Sequence, residues 1–135
     1  MKQIKILSQK FLIKMSYFYD TYAIISLIEG DKNYDKYKKN IITTNLLNLA
    51  EIYNIFLRTH GKQTASYWIK KLNFNLLELD EDSLFKAVEF RFYNKKENLS
   101  LTNCIGYILA LKNNMTFLTG DEKFENKKNV EFVKK

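Results

Sequence analysis

The sequence has few of the residues that form disulfides, zinc sites and phosphate-binding loops. Cys104 is its single cysteine and His60 its single histidine, so no internal disulfide can form and a zinc site, which takes several Cys or His ligands, is disfavoured. The glycines are few and scattered, which excludes a glycine-rich phosphate loop. We interpret Cys104 as an inert packed thiol and His60 as structural. A lone cysteine agrees with a reducing compartment, so we expect a cytoplasmic protein.

The sequence also has no apolar run of the roughly 18 residues that a membrane-spanning helix needs. Near the N-terminus the longest apolar run is Phe11-Leu12-Ile13, which is too short for the hydrophobic core of a secretory signal. We therefore predict no membrane span and no membrane partner.

Positive charge is in excess. The formal net charge is +7, and only Arg58 and Arg91 of the 22 basic residues are arginine. Such a balance favours polyanions such as RNA, because lysines neutralise phosphates. Abundant Lys, Asn and Ile are also expected from an AT-rich coding sequence. Both explanations of the charge stay open.

The chain has the length and composition of one globular domain, with 135 residues of which 46% are hydrophobic and 15% aromatic. Short β-rich runs alternate with longer amphipathic ones, which predicts an α/β protein: a three-layer α/β/α sandwich on a mostly parallel sheet. The predicted strands lie at about 16–20, 41–43, 74–79, 115–118 and 129–133, and the predicted helices at about 21–30, 45–59, 62–73, 83–92 and 101–112.

Two of these helices have a clear predicted buried face. In the helix at 45–59 the apolar stripe consists of Leu46, Leu49, Ala50, Tyr53, Phe56 and Leu57. In the helix at 83–92 it consists of Leu84, Phe85, Val88 and Phe92. The polar connector 31–40 interleaves lysines with Tyr34 and Tyr37, a pattern that either stacks on single-stranded RNA or is simply solvated.

Three acidic residues are candidate functional residues because of where they lie in the predicted elements. Asp20 follows an aromatic strand and either caps the next helix, worth about 1 kcal/mol, or carries function. Asp121 follows the buried strand Met115–Leu118, where ligands bind in open α/β sheets. Glu51 lies beside the apolar face of its helix and is either an ordinary exposed Glu or a carboxylate that needs a partner or a metal. The run Asp80–Asp82 is better explained as the charged start of a helix.

Two sequence strings resemble a known family. Leu101-Thr-Asn-Cys-Ile-Gly-Tyr107 and Phe117-Leu-Thr-Gly-Asp-Glu-Lys-Phe124 look like the C-terminal half of a PIN domain, closest to the VapC-like branch of toxin–antitoxin pairs. The strand–Asp20–helix opening and the helix-borne Glu51 fit the same pattern. The resemblance implies a PIN-like, Rossmann-like domain at 15–135. Residues 1–14 would be an extension of uncertain status, either upstream of a true start at Met15 or a short docking helix.

The resemblance implies a metal-dependent ribonuclease site. It brings Asp20, Glu51, position 103 and Asp121 to one end of the sheet, with Mg²⁺ or Mn²⁺ held by Asp20 and Asp121 directly. Glu51 would be a further ligand or hold a water, and Thr119 would hydrogen-bond a carboxylate from behind.

Position 103 departs from the family, because it is Asn where Asp is usual. Asn103 can offer a carbonyl oxygen to a metal, but it brings no negative charge and cannot act as a base. It is otherwise explained as a polar residue in the first turn of a helix, and Glu122 is a conceivable substitute acid.

The predicted function is a Mg²⁺/Mn²⁺-dependent endoribonuclease, the toxin of a type II toxin–antitoxin pair, with RNA as substrate, a small antitoxin as partner and a homodimeric state. The alternative is a catalytically impaired PIN-like domain that binds RNA or a protein without cleavage. A DNA-directed nuclease or maturation factor shares the same site.

Overall fold

The structure, a computed structural model, describes residues 16–134. The predicted extension at 1–14 and the first residue of the predicted domain lie outside the described residues. The strands are β1 (Tyr17–Tyr19), β2 (Ile42–Thr44), β3 (Phe74–Leu76), β4 (Thr116–Thr119) and β5 (Val130–Phe132). The α-helices are α1 (Thr21–Ile28), α2 (Leu46–His60), α3 (Lys62–Lys71), α4 (Glu81–Tyr93) and α5 (Leu101–Lys112), and short 3₁₀ helices lie at Lys32–Tyr37, Lys95–Glu97 and Glu122–Phe124.

The strands are parallel in every described pairing. One sheet has the order β1–β4–β5, and β2 pairs with β3 in a second sheet. The Thr44 hydroxyl at the end of β2 donates to the Tyr19 carbonyl at the end of β1, at 2.8 Å, so the sheets lie edge to edge. The carboxyl ends of β1 and β4 therefore meet at one edge, where parallel sheets place their ligand sites.

Helices cover both faces of the central sheet, because side chains alternate between faces along a strand. Phe18 of β1 and Phe117 of β4 pack with α4 and α5, in a core that includes Ala87, Cys104, Ile105 and Leu109. Tyr19 and Leu118, the next residues, pack on the opposite side with α1, α2 and α3, in a core that includes Ile24, Ile52, Phe56 and Ala65. The predicted three-layer α/β/α sandwich is confirmed.

Gly106 sets how closely α5 approaches the sheet. A Cβ at this position would lie 2.8 Å from Phe18 Cε1 and 3.1 Å from Phe117 Cε1. Both rings are fully buried and cannot move away, so only glycine permits this helix–sheet distance. Cys104, on the same helix, is buried, and burial raises the pKa of its thiol to about 11, as expected of an inert packed residue.

The proposed stacking of RNA on Tyr34 and Tyr37 is wrong. Both rings are buried, since the connector folds into a 3₁₀ helix that packs against the C-terminal strand. The Tyr34 hydroxyl donates to the Val133 carbonyl at 2.7 Å, and the Tyr37 hydroxyl donates to Glu131 Oε2 at 2.7 Å. These tyrosines are core residues and offer no face to a ligand.

The predicted buried faces of two helices are also wrong in part. On α2 the buried residues are Asn48, Ile52 and Phe56, whereas Leu46 is exposed. On α4 the fully packed residues are the small Ser83 and Ala87. Small side chains let α5 approach α4 closely, which leaves the bulky residues of the predicted stripe, Phe85, Val88 and Phe92, on the outside.

None of the described helices is both long enough and apolar enough to cross a lipid bilayer.

Candidate active site

Asp20, Thr119 and Asp121 lie together at the edge where β1 and β4 end. Tyr19 is in register with Leu118, and the Asp20 N–H donates to the Leu118 carbonyl at 3.0 Å. Thr119 is the last residue of β4, and Asp121 follows two positions later. The parallel register of two neighbouring strands thus brings together residues that are about a hundred positions apart in the sequence.

Asp20 is a buried acid with side-chain partners from distant elements. It is 2% exposed. Oδ2 accepts from Thr119 Oγ1 at 2.8 Å and from Asn103 Nδ2 at 3.2 Å. Asp20 stands at the N-cap position of α1, yet its side chain makes no capping hydrogen bond. Helix capping therefore does not explain this carboxylate.

The surroundings of Asp20 favour its protonated form. Burial raises the pKa of Asp20 from 3.8 to about 7, against the lowering effect of hydrogen bonds from Thr119 and the Thr21 backbone. The charges of Glu51 and Asp121 raise the pKa of Asp20 further. A nearby cation would offset both the burial and the repulsion and keep Asp20 ionised near neutral pH.

Glu51 is held in place by a polar chain that runs between two helices. The Thr21 hydroxyl at the start of α1 donates to Glu51 Oε1 at 2.6 Å. Asn48, one turn before Glu51 on α2, donates to Thr21 Oγ1 at 3.1 Å and is fully buried. Because Asn48 is fixed in the core, it fixes the Thr21 hydroxyl, and this hydroxyl orients the carboxylate.

Asp121 lies in a tight turn beside an open cleft. Its Oδ1 accepts from the Lys123 N–H at 3.0 Å, and its own N–H donates to Thr119 Oγ1 at 3.1 Å. Thr119 thus contacts both Asp20 and Asp121 and sets their separation. The cleft is lined by Tyr22, Gly120, Asp121, Glu122, Lys123 and Lys134.

Gly120 allows the strand end to lie against an aromatic ring in this cleft. A Cβ at Gly120 would lie 2.2 Å from Tyr22 Cε1 and 2.8 Å from the Tyr34 hydroxyl. The ring of Tyr22 thus lies directly on the backbone between Thr119 and Asp121, and any larger residue would displace this ring or the turn.

Asn103 lies in the first turn of α5 and reaches Asp20 from there. Ser100, the N-cap of α5, accepts the Asn103 N–H at 3.0 Å and donates its hydroxyl proton to Asn103 Oδ1. The amide nitrogen of Asn103 then lies 3.2 Å from Asp20 Oδ2 and 3.4 Å from Asp20 Oδ1. Asn103 thus contacts Asp20 directly, and the charges of Glu51 and Asp121 act on Asp20.

The chemistry of these donors fits Mg²⁺ or Mn²⁺, although they do not form a closed cage. Within residues 16–134, no group of three or more His, Cys, Asp or Glu side chains is arranged to hold a metal ion. Mg²⁺ is usually bound by one or two carboxylates together with waters and substrate phosphates. Asp20 and Asp121 at the sheet edge match that open form of site, and Glu51 is near enough for its charge to act on Asp20.

The other acidic cluster has a structural role, as predicted. Asp80 caps α4 by accepting from the Ser83 N–H at 3.1 Å, and Lys112 binds its other oxygen at 2.7 Å. The Lys112 hydrogen bond and the Ser83 side chain hold the pKa of Asp80 well below its usual range. Asp82 pairs with Lys86 at 3.0 Å on the same helix.

Several residues that shape the site were not predicted from the sequence: Thr21, Tyr22, Asn48, Lys123 and Lys134. Asn48 carried a usable signal, because a polar residue three positions before Glu51 shares its helix face among apolar neighbours. Tyr22 and the two lysines carried none, since the cleft forms only when α1, the turn after β4 and the C-terminal segment come together.

The fold and the acids at its sheet edge define a PIN domain. The PIN domain family model matches residues 17–130, and the chain belongs to this family. This confirms the family resemblance of the sequence. No curated protein matches the sequence.

Solved structures of toxins share this fold. VapC20 of Mycobacterium tuberculosis, a sarcin–ricin loop cleaving toxin, superposes with a TM-score of 0.73 at 17% identity, over 87% of this chain and 99% of VapC20. A toxin–antitoxin complex from Klebsiella pneumoniae superposes with a TM-score of 0.66 at 18% identity, over 86% of this chain and 96% of the matched chain. VapBC2 of Rickettsia felis, bound to a promoter DNA fragment, superposes with a TM-score of 0.67 at 18% identity, over 89% of this chain and 98% of the matched chain.

Proposed function

We propose that this protein is a divalent-metal-dependent endoribonuclease, the toxin of a type II toxin–antitoxin pair. The observation that carries the proposal is Asp20: a buried carboxylate at the end of β1 that caps no helix and is surrounded by Glu51, Asp121 and Asn103. Membership of the PIN family supports nuclease activity in general, and toxins among the structures that share the fold support the toxin role.

The chain's own residues supply binding and orientation. Asp20 and Asp121 would hold Mg²⁺ or Mn²⁺, with Glu51 as a ligand or the holder of a water. When bound, the cation polarises the phosphodiester and lowers the pKa of a bound water. Thr119 keeps Asp20 and Asp121 in register through its hydrogen bonds at 2.8 and 3.1 Å, and Thr21 keeps Glu51 turned toward them through its bond at 2.6 Å.

The cleft beside Asp121 supports RNA as the substrate. Lys123 and Lys134 line it, and in the described part of the chain neither forms an ion pair with a carboxylate. Lys123 Nζ donates to the Asn98 carbonyl at 3.0 Å, but an ammonium has three donors, so both lysines can still bind phosphates. The net charge of +7 adds long-range attraction. Tyr22 offers a ring beside the same cleft.

Exposed apolar residues on α4 support protein partners, namely a second copy and a small antitoxin. Phe85, Val88 and Phe92 are 55%, 47% and 61% exposed on one side of this helix. Leu101, at the start of α5, lines the same hollow as Val88 and Phe92. Adjacent exposed apolar side chains of this kind often mark surfaces that bind another protein.

The alternative function, an impaired PIN domain that binds RNA or protein without cleavage, is favoured by one observation. Asn103 stands where the family has an acid, so the site lacks one negative charge. The charge that remains on Asp20, Glu51 and Asp121 is the reason for preferring the nuclease.

Cleavage of a single-stranded RNA and of a hairpin RNA tests the proposal. The wild type should cleave with Mn²⁺ or Mg²⁺ and be inactive in EDTA. The cleavage rate of Asp121→Asn should be lower than that of the wild type by more than about 100-fold. Removing a group that only supports a metal ligand already lowers metal affinity or activity by about 10- to 100-fold. Asp82→Asn, which neutralises an exposed acid paired with Lys86, is the matched control and should keep full activity. RNA binding without cleavage in any metal would favour the alternative function.

A further inference from the structure

Asn103 faces Asp20 with the nitrogen of its side-chain amide. Nδ2 lies 3.2 Å from Asp20 Oδ2 and 3.4 Å from Asp20 Oδ1. In the ionised form, in which it would bind a cation, the Asp20 carboxylate only accepts hydrogen bonds, so the group that touches it must be the NH₂ end of the amide. The carbonyl oxygen of Asn103, which is the end that can bind a metal, therefore points away from Asp20.

The hydroxyl of Ser100 fixes the other end of this amide. Ser100 Oγ accepts the Asn103 backbone N–H at 3.0 Å and donates its single proton to Asn103 Oδ1. A reversed amide would place its oxygen against the oxygens of Asp20 and its NH₂ against the Ser100 hydroxyl. In the observed orientation the amide accepts the Ser100 proton and donates to Asp20, so both of its ends are hydrogen-bonded at once.

We propose that Asn103 is a positioning residue that holds Asp20 through its amide nitrogen and stays outside the coordination of the divalent cation. Ser100 keeps the amide in this orientation. The part that concerns the cation rests on the proposed function; the hydrogen bond itself does not. This role differs from the role of a metal ligand, which a carbonyl oxygen at position 103 would have.

The proposal explains why a neutral residue suits this position. An acid at 103 would bring a second carboxylate to the 3.2 and 3.4 Å contacts that the amide now makes with Asp20, and the two charges would repel each other until a cation arrived. The neutral amide of Asn103 avoids that repulsion and donates a hydrogen bond to Asp20 instead. The metal-free site is therefore held together by the chain itself.

The direct test is the ¹H–¹⁵N NMR spectrum of side-chain amides, with Asn103 assigned from the pair of signals that Asn103→Ala removes. One Asn103 proton should lie downfield, as expected of a hydrogen bond to a carboxylate, and should stay there when Mg²⁺ is added. If Mg²⁺ moves this proton upfield, or if it is not downfield in the metal-free protein, the proposal is overturned. The backbone signals of Thr119 and Asp121 show in the same titration whether Mg²⁺ binds. If none of these signals shifts, the metal site of the proposed function is refuted. The part of this proposal that concerns the cation is then refuted as well.

Two variants of Ser100 test what fixes the orientation. Ser100→Ala removes the hydroxyl, so the two Asn103 amide protons should lose their wide separation. Ser100→Thr keeps both a hydroxyl and a good N-cap and should preserve the signature. Equal spectra for the two variants would contradict the role assigned to Ser100.

Asn103→Asp supplies a second, independent readout. Without metal this variant should melt below the wild type, because two carboxylates then face each other. With Mn²⁺ the order should reverse, and by calorimetry Mn²⁺ should bind about tenfold more tightly or better, given the added charge at short range. A variant as stable as the wild type in EDTA would overturn the proposal.

Discussion

Asp20 and Asp80 occupy the same local position and have opposite properties. Each stands at the N-cap of a helix with extended backbone, at φ −68° and ψ 160° for Asp20 and φ −82° and ψ 161° for Asp80. Asp80 caps its helix and pairs with Lys112, which lowers its pKa. Asp20 caps nothing, is buried, and has its pKa raised to about 7.

The comparison separates an acid that stabilises the fold from one that the fold constrains. Asp80 interacts with the nearest backbone and with solvent, as an N-cap residue usually does. Asp20 instead interacts with Thr119 and Asn103, which belong to other elements. A buried carboxylate that forgoes its local cap costs free energy in the absence of a cation, and such a cost is typical of functional sites.

The largest expected difference between the two acids is in RNA cleavage. Asp20→Asn should lower metal-dependent cleavage by more than about 100-fold, since it removes a charge that the cation needs. Asp80→Asn should leave cleavage unchanged, because Asn is as good an N-cap as Asp. Cleavage rates of the two purified variants give the answer, and equal losses would break the comparison.

A smaller effect is expected at the hydroxyl that orients Glu51. Thr21→Val keeps the shape of the side chain but removes the donor at 2.6 Å, so cleavage should fall by about 10- to 100-fold. Thr59→Val, which removes a hydroxyl bonded to the Ile55 carbonyl on the exposed part of α2, should have no such effect. Full activity of Thr21→Val would show that cleavage does not depend on the hydrogen bond from Thr21 to Glu51.

The pH dependence of stability without metal should also distinguish Asp20. Its pKa is about 7 in the folded chain and near 3.8 when unfolded, so the unfolded state loses its proton first as pH rises. The contribution of Asp20 to the free energy of unfolding should therefore fall between about pH 4 and pH 7, by at most about 1.4 kcal/mol per pH unit, and be constant above.

Denaturant unfolding of the wild type and Asp20→Asn in EDTA measures this contribution as a difference. Asp20→Asn should be the more stable protein at neutral pH, with the advantage vanishing toward pH 4. A constant difference across this range would mean that Asp20 is not protonated in the folded protein.

The smallest expected effect is a change in stability when Asp80, the N-cap of α4, is replaced. Asp80→Ala removes the hydrogen bond to the Ser83 N–H and the ion pair with Lys112, so the melting temperature should fall slightly. Cleavage per folded molecule should be unchanged. A large loss of cleavage in Asp80→Ala would show that α4 matters for the site beyond its packing.

The sequence was sufficient to predict the fold and the strand ends that Asp20 and Asp121 follow. Alternating strands and helices, and an Asp at the end of two strands, follow from local patterns that a single chain displays. The environment of Asp20 does not, because Asn103 and Thr119 lie 83 and 99 positions away. The parallel register of β1 and β4 brings Thr119 to it, and the packing of α5 on the sheet brings Asn103.

Packing explains where the sequence predictions failed. Tyr34 was interpreted as exposed because its neighbours are polar, but its ring fills the core and its hydroxyl binds the backbone of Val133. Phe85 and Phe92 were interpreted as buried because they lie on an apolar stripe, but the small Ser83 and Ala87 make the contact instead. Hydrophobic periodicity identifies a helix and does not by itself decide which of two apolar faces is covered.

The most direct test of the account is the position of a bound cation, found by anomalous diffraction from crystals grown with Mn²⁺. The account predicts an anomalous peak at the carboxylates of Asp20 and Asp121, with the Asn103 amide nitrogen still on Asp20. A peak at Asp80, or no peak at the sheet edge under conditions in which the protein cleaves RNA, would contradict it.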